Sequence, residues 1–197
     1  LRIYKDSQAF VYDTEFAIAG KDRILDLGSE LDNYLDTDRD ELKDRLILKD
    51  KSLLSMENFY NIVHGIAEER SKHIKDYIVE SPFIDRKTNK PIKTVIPYFI
   101  VIDSFSLMQS SEENKLFEKH NLSDSETNMV YMNDGRNKSK FMRQIPLISH
   151  KGGLHIMVTS HLGKKHELNP YGDKSKELQY LRQSDTIKYV GSQFGFL

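Results

Sequence analysis

The chain contains no cysteine and no apolar run that approaches the length of a membrane-spanning helix. The absence of cysteine excludes disulfides, thiolate zinc sites and cysteine nucleophiles, and it fits a reducing cytosol. No signal peptide is visible at the start of the sequence either. We therefore expect a cytoplasmic protein with no membrane partner.

An excess of charge of either sign is also lacking. The 29 Lys and Arg residues and 30 Asp and Glu residues leave a formal net charge of -1. This balance describes a mixed-charge surface and excludes binding to nucleic acid through bulk charge, so any such binding must be local. At 197 residues the chain is long enough for one well-buried domain, which is what we predict.

The most informative stretch is 97–105, which reads Pro-Tyr-Phe-Ile-Val-Ile-Asp-Ser-Phe. A continuous apolar run of this kind predicts a strand buried on both faces, as in a parallel sheet covered by helices. It ends in Asp103 and Ser104, and open α/β sheets bind their ligands at the carboxyl ends of their strands. Asp103 is therefore a candidate Mg²⁺ ligand, because a hard cation prefers oxygen. The alternative is an ordinary core strand followed by a solvated acid.

Strand and helix patterns alternate along the chain. The first half predicts a strand at 8–16 that runs into Asp13 and Glu15, helix-compatible sequence at 21–44 and a short strand at 45–48. It then predicts a strongly amphipathic helix at 52–77, an exposed hairpin or loop at 81–94 and the central strand at 98–102. The second half predicts a long polar loop at 109–137, a helix at 138–150 that Pro146 should kink or end, and a Gly-Gly stop at 152–153. A strand at 154–161, a second polar loop at 163–189 and a last strand at 191–197 follow.

Alternating strands and helices imply βαβ units and a parallel sheet. Right-handed crossovers place the carboxyl ends of such strands on one edge. Glu15, Asp103 and His161, each at the end of a predicted strand, should therefore lie together.

Three segments in this order resemble the RecA-like recombinase ATPases, most closely the phage UvsX-type branch. They are Val-Tyr-Asp-Thr-Glu-Phe at 11–16, Phe-Ile-Val-Ile-Asp-Ser at 99–104 and Met-Val-Thr-Ser-His at 157–161. The resemblance covers the chain from about Ala9 onward. It implies a RecA-like, mainly parallel sheet flanked by helices, with long polar loops at the strand carboxyl ends, and the host cytoplasm as the location if the protein is viral.

The resemblance also implies roles, with ATP and Mg²⁺ as cofactors. Glu15 corresponds to the catalytic glutamate that orients the attacking water, and Asp103 to the acid that holds Mg²⁺ through a coordinated water, with Ser104 beside it in the nucleotide site. His161 corresponds to the Gln or His that contacts the γ-phosphate and passes its state to the following loop. The structural alternatives are a solvated loop acid, a strand-end serine that satisfies the backbone, and a hydrogen-bonded histidine at the sheet edge.

The two polar loops resemble the family's DNA-binding loops, so single-stranded DNA is the predicted partner. In the second loop, tyrosines would stack on bases and cations would meet phosphates: Lys164, Lys165, Tyr171, Lys174, Lys176, Tyr180 and Arg182. Acidic residues dilute that basic signal, and an ordinary surface loop is the alternative. The first loop offers Arg136, Lys138 and Lys140 near its end.

One departure concerns the phosphate-binding loop G-x-x-x-x-G-K-[ST], which the family carries and this chain does not contain. Leu1 falls roughly where the helix after that loop should end. We therefore predict that residues 1–197 are a single RecA-like core that lacks the upstream loop and the C-terminal remainder, and that they bind nucleotide poorly alone. The alternative is a degenerate ATPase that has lost the loop.

The predicted function is an ATP-dependent DNA recombination or repair protein that binds single-stranded DNA, self-associates into a filament or ring, and hydrolyses ATP between protomers. The alternatives are a hexameric DnaB-type helicase, a KaiC-like ATPase and a non-hydrolysing RecA-fold assembly protein. Asp103-Ser104 favours the recombinase over the helicase, in which a tyrosine follows the acid. A zinc site from His150, His155, His161 and His166 would need convergence of a helix end, a strand and a loop, and His155 is better explained as a core residue.

Overall fold

A computed structural model describes residues 4, 6–18, 20–30, 39–50, 54–118, 125–164 and 179–181. The strands are β1 Gln8–Asp13, β2 Leu46–Asp50, β3 Ile78–Ile84, β4 Pro91–Val95, β5 Tyr98–Asp103, β6 Leu154–Val158, β7 Leu162–Lys164 and β8 Gln179–Leu181. The α-helices are α1 Lys21–Glu30, α2 Arg39–Arg45, α3 Met56–Lys72, α4 Ser111–Glu118 and α5 Ser125–Gly152. Within these ranges, no helix combines the length and the apolar character that a membrane span requires.

The central sheet has four strands in the order β2-β1-β5-β6, and every neighbouring pair is parallel. Strands β3 and β4 form a separate antiparallel hairpin, and β7 pairs antiparallel with β8. The predicted α/β architecture with a mainly parallel sheet is confirmed.

Helices cover both faces of the sheet, which explains why its central strands lack polar alternation. Even-numbered side chains of β1 and β5 enter the main core with α3 and α5, among them Tyr12, Ile100 and Ile102. Odd-numbered side chains, such as Val11 and Val101, face a smaller cluster with α1 and α2. A strand flanked in this way buries apolar side chains in both directions.

Helix α3 confirms the strongest helix prediction. Its N-cap Ser55 accepts a hydrogen bond from the Asn58 backbone N–H at 3.3 Å. Its buried side includes Phe59, whose ring stacks on Tyr12 at a centroid distance of 4.7 Å. Helix α3 also packs against α5, where Gly152 lies directly against Ala67.

The predicted loop at 109–137 is wrong, because α4 and the first part of α5 occupy most of it. Ser110 caps α4 by accepting the Glu113 backbone N–H at 3.2 Å. The inward positions of α5 include Asp134 and Lys138, which form a buried ion pair. Because these inward residues are charged, the apolar periodicity that marks a helix is missing there.

Pro146 was expected to kink or end the last predicted helix, but α5 continues through it to Gly152. Packing of Phe141, Met142 and Ile148 into the core on both sides of the proline offsets the lost backbone hydrogen bond. The helix ends at the predicted Gly-Gly stop, where Gly153 has φ +62°. The predicted polar loop at 163–189 contains strand segments β7 and β8, and the predicted strand at 191–197 lies outside the described residues.

Candidate functional site

Three parallel strands end side by side at one edge of the central sheet. Asp13 of β1 lies in register with Asp103 of β5, and Ile102 lies in register with Val158 of β6. The residues that follow these strands therefore meet at the same edge. The prediction that Glu15, Asp103 and His161 share this edge is confirmed, and we call these three residues the carboxyl-edge site.

Glu15 and His161 are in direct contact, although they are far apart in the sequence. Nε2 of His161 lies 2.6 Å from Oε1 of Glu15, within hydrogen-bond distance. The two side chains keep 29% (Glu15) and 42% (His161) of their surface exposed. The pair is therefore accessible from solvent, and its imidazole N–H and carboxylate can also meet a bound molecule or a water.

The loop that carries Glu15 is held by the preceding acid, Asp13. This carboxylate is buried and accepts the backbone N–H groups of Glu15, Ala17 and Ile18 at 3.1, 3.3 and 2.8 Å. Hydrogen bonds from backbone N–H groups to a carboxylate are charge-assisted and strong for their type. Asp13 is thus a positioning residue, and Glu15 is the acid that this loop presents.

Asp103 lies between the other two strand ends. Its Oδ1 accepts a hydrogen bond from the Thr159 hydroxyl at 2.6 Å, while the Thr159 backbone N–H donates to the Ile102 carbonyl at 3.0 Å. The carboxylate is partly exposed. The threonine therefore fixes one oxygen of the carboxylate.

Ser104 is buried below the edge. Its backbone N–H donates to the Thr14 hydroxyl at 2.7 Å, that hydroxyl donates to the Ser104 carbonyl at 2.6 Å, and the Ser104 hydroxyl lies 3.0 Å from that of Ser106. The peptide bond between Asp103 and Ser104 is cis. These contacts lock β1 to β5 and place Ser104 as a support for the site, not as a residue on its surface.

A buried ion pair supports the same edge from α5. Nζ of Lys138 lies 2.8 Å from Oδ2 of Asp134 and donates to the Ser106 carbonyl at 3.3 Å. The Ser106 hydroxyl in turn accepts the His161 backbone N–H at 3.2 Å. The sequence had placed Lys138 on a DNA-facing loop. That expectation is wrong, because the ammonium group is buried and forms part of the scaffold under His161.

One carboxylate and one hydroxyl, those of Asp103 and Thr159, are adjacent oxygen donors at the carboxyl edge. Among the described residues, no group of three or more His, Cys, Asp or Glu side chains could hold a metal ion. Asp103 offers one carboxylate beside the Thr159 hydroxyl, which suits a cation that keeps most of its water and binds phosphate oxygens. His155 of β6 is exposed and lies beside the ring of Phe99 on β5. The expectation that His155 is a core residue is therefore wrong.

The predicted DNA-binding residues are only partly within the described chain. Lys164 of β7 pairs with Gln179, and Tyr180 of β8 pairs with Gly163. The remaining predicted residues lie outside the described ranges: Lys165, Tyr171, Lys174, Lys176 and Arg182. Arg136 and Lys140 are exposed on α5 and belong to a helix, not to the predicted loop.

No family model matches the chain, and neither does any curated protein. Its function must therefore be argued from the carboxyl-edge site itself. The sequence selected Glu15, Asp103 and His161 but missed four residues that hydrogen-bond to them or to their loops: Asp13, Thr14, Ser106 and Thr159. For Asp13 and Thr14 a signal was available in the sequence: Asp13 is the acid that ends a predicted strand, and Thr14 is the polar residue directly after it. No sequence signal linked Ser106 or Thr159 to their partners.

Proposed function

We propose that the chain is the core of a RecA-like nucleotide hydrolase that binds single-stranded DNA and acts in recombination or repair. The observation that carries the proposal is the convergence of Glu15, Asp103 and His161 at the carboxyl edge of a parallel sheet, with Glu15 and His161 2.6 Å apart. Open α/β sheets bind ligands at this edge. The resemblance in three ordered segments then selects the nucleotide hydrolase from among α/β proteins.

Each residue has a chemical task in this proposal. Glu15 accepts a hydrogen bond from the attacking water and orients it, which suits a partly exposed carboxylate that Asp13 holds in place. Asp103 would hold Mg²⁺ through a coordinated water, and that cation supplies charge neutralisation on the phosphates. His161 donates from its imidazole to a phosphate oxygen, so a bound nucleotide competes with Glu15 for the ring.

This competition gives the proposed switch. In the present structure His161 is bonded to Glu15, and its backbone N–H is fixed to Ser106. Release of the ring toward a phosphate would remove the His161 hydrogen bond from Glu15 and let water approach that carboxylate. It would also move the start of β7, which begins one residue later at Leu162. The chain that follows carries the proposed DNA-binding residues, and self-association would place the nucleotide between protomers.

The test uses the natural polypeptide that contains these 197 residues. ATP turnover is measured with and without single-stranded DNA for the wild type and for Glu15→Gln. We expect DNA-stimulated turnover that falls by about 100-fold or more in the variant, with nucleotide binding retained. The matched control is Glu69→Gln, on the exposed face of α3, which should leave turnover unchanged.

A wild type that binds no nucleotide and shows no turnover, with or without DNA, would contradict the proposal. That outcome would favour the non-hydrolysing assembly protein, in which Glu15 is an ordinary surface acid. Turnover that is independent of DNA and unaffected by Glu15→Gln would remove Glu15 from the catalytic role.

A further inference from the structure

The hairpin of β3 and β4 stands apart from the central sheet and from the carboxyl-edge site. Neither β3 nor β4 forms a strand pair with the central sheet. Strand β4 ends at Val95, just before β5 begins at Tyr98. The hairpin is therefore connected to the central sheet at the amino end of β5, on the side where the parallel strands begin. The carboxyl-edge site lies at their opposite ends.

The base of the hairpin is firmly attached. Arg70 of α3 donates from Nη2 to the Ile96 carbonyl and from Nε to the Gly152 carbonyl at 2.8 Å. Its guanidinium also lies over the Tyr77 ring, 4.4 Å from the centroid. An isolated two-stranded ribbon is only marginally stable in water, so this anchoring gives the hairpin a defined direction.

The tip of the hairpin is also ordered. The Asp85 carboxylate accepts the Lys87 backbone N–H and the Thr88 hydroxyl, both at 2.9 Å, and these bonds lower the pKa of Asp85. The Asn89 backbone N–H donates to the Asp85 carbonyl at 2.8 Å, and Asn89 itself adopts φ +53°. The only acid of the tip is thus used to shape the turn.

The exposed side chains of the hairpin combine positive charge with apolar surface. Residues 78–95 include four basic and two acidic residues, a formal charge of +2 in a chain whose total is -1. Arg86, Lys87, Lys90 and Lys93 are all exposed, and within the described chain none forms an ion pair. Large apolar side chains are exposed beside them: Phe83 at 64%, Ile84 at 60% and Ile92 at 46%.

We infer that this hairpin is a nucleic-acid-binding ribbon. Its cations contact the phosphates of a single strand, and Phe83 stacks on a base. An aromatic face flanked by cations is the arrangement by which proteins hold single strands without reading their sequence. An apolar patch alone would suit many partners, but positive charge concentrated on a hairpin anchored at its base favours a polyanion. The inference depends only on the hairpin and holds whether or not the chain hydrolyses ATP.

These 197 residues contain no tryptophan, which allows a direct test on the chain that they form. In the Phe83→Trp variant, the single indole reports on stacking because a base that stacks on it quenches its fluorescence. We expect an unlabelled oligothymidylate, titrated without nucleotide, to quench this variant by about half or more at saturation. The control is Ile62→Trp, on the exposed side of α3, which should not be quenched.

The phosphate contacts are tested by charge removal. In fluorescence anisotropy with a labelled oligothymidylate, joint replacement of Arg86, Lys87, Lys90 and Lys93 by Gln should weaken binding. It should also lower the slope of log affinity against log salt by up to about 3, since each phosphate contact contributes ~0.7. Phe83→Ala should weaken binding by about 5- to 100-fold. A matched control replaces four exposed cations elsewhere by Gln: Lys43, Lys49, Lys72 and Arg143.

Circular dichroism of every variant should match the wild type, because all the changed side chains are exposed. Equal loss of binding in the hairpin and control variants would overturn the inference, as would equal quenching at positions 83 and 62. Flotation with phosphatidylserine vesicles tests the competing polyanion. Vesicle binding that requires Phe83, without quenching by the oligonucleotide, would assign the hairpin to a membrane surface and also overturn the inference.

Discussion

Tyr12 shows how one buried hydroxyl joins the core to the chain around it. Its ring stacks on Phe59 in the main core, and its hydroxyl donates to the Leu54 carbonyl just before α3. Burial raises the pKa of Tyr12, with a smaller contribution from the nearby acids Asp50 and Glu57. The neutral phenol is therefore a requirement of the folded state.

This gives a prediction for alkaline pH. The folded pKa of Tyr12 lies above the ordinary value of about 10, so the stability that the neutral phenol contributes is complete below pH 10 and is lost as pH rises beyond it. Tyr12→Phe should cost about 1 kcal/mol at pH 7, since the Leu54 carbonyl loses its donor. Above pH 10 the gap between the two proteins should close, by up to ~1.4 kcal/mol per pH unit.

Urea unfolding at a series of pH values measures both effects. Tyr60→Phe serves as the control, because that ring is only half buried at the edge of the core. Parallel stability curves of the wild type and Tyr12→Phe above pH 10 would show that ionisation of Tyr12 is not coupled to unfolding.

The roles of Asp13 and Glu15 show where residue-level prediction stops. Both are acids at the end of the same strand, and the sequence selected Glu15 through a resemblance. Only the structure shows that the loop turns back so that three backbone N–H groups reach Asp13. Whether a strand-end carboxylate folds back onto the backbone, as Asp13 does, or faces solvent depends on that local turn, which residue type does not determine.

At the scale of elements, the sequence predicted strands and helices whose buried side chains are apolar, and it missed a helix whose buried side chains include charged residues. Strand β5 and helix α3 are flanked by apolar partners, so their patterns follow the expected period. Helix α5 turns Asp134 and Lys138 inward, and a polar inward face cannot be told from a polar loop. The missed helix and the misplaced Lys138 therefore have the same physical cause.

The contact between α3 and α5 gives a second prediction. A Cβ at Gly152 would lie 2.7 Å from the Cα of Ala67, which real Cβ contacts do not reach. Gly152→Ala should therefore force the two helices apart and cost about 1–3 kcal/mol in unfolding free energy. A Cβ added at Gly135, also in α5, would meet nothing within 4 Å, so Gly135→Ala should instead stabilise by up to about 1 kcal/mol.

The two alanine variants form a matched pair in one helix, and thermal unfolding distinguishes them. The melting temperature should fall for Gly152→Ala and hold or rise for Gly135→Ala. A loss of stability of the same size in both would show that a general property of α5, rather than the close approach to Ala67, sets the cost.

At the scale of the whole molecule, the strands of the central sheet differ in how many neighbours they pair with and in how large a core covers them. Its central strands β1 and β5 pair on both sides, and the larger of the two cores covers their even-numbered side chains. The alternation of strands and helices predicted a parallel sheet covered by helices, but neither its strand order nor the relative size of the two cores. The separate hairpin was expected only as an exposed hairpin or loop, because neither its anchoring by Arg70 nor its direction is encoded locally.

Hydrogen exchange should reflect this build. Amides of β1 and β5 should exchange at least about 100-fold more slowly than those of the hairpin tip at 85–90, since opening them requires disruption of the main core. Mass spectrometry of peptic fragments after timed exchange measures the difference. Comparable protection in the hairpin tip would mean that it packs against a further surface.

The strand order has a consequence for assembly. Among the described strands, β6 pairs only with β5, so one row of its backbone donors and acceptors faces outward. Such a row is a template for another strand. A strand that docked there in parallel would bring its own carboxyl end beside Thr159 and His161, two strand positions from Asp103, and would add a further polypeptide segment to the carboxyl-edge site. Within the described part of the chain, this flank of β6 can therefore accept a further strand without breaking any backbone pair of the sheet.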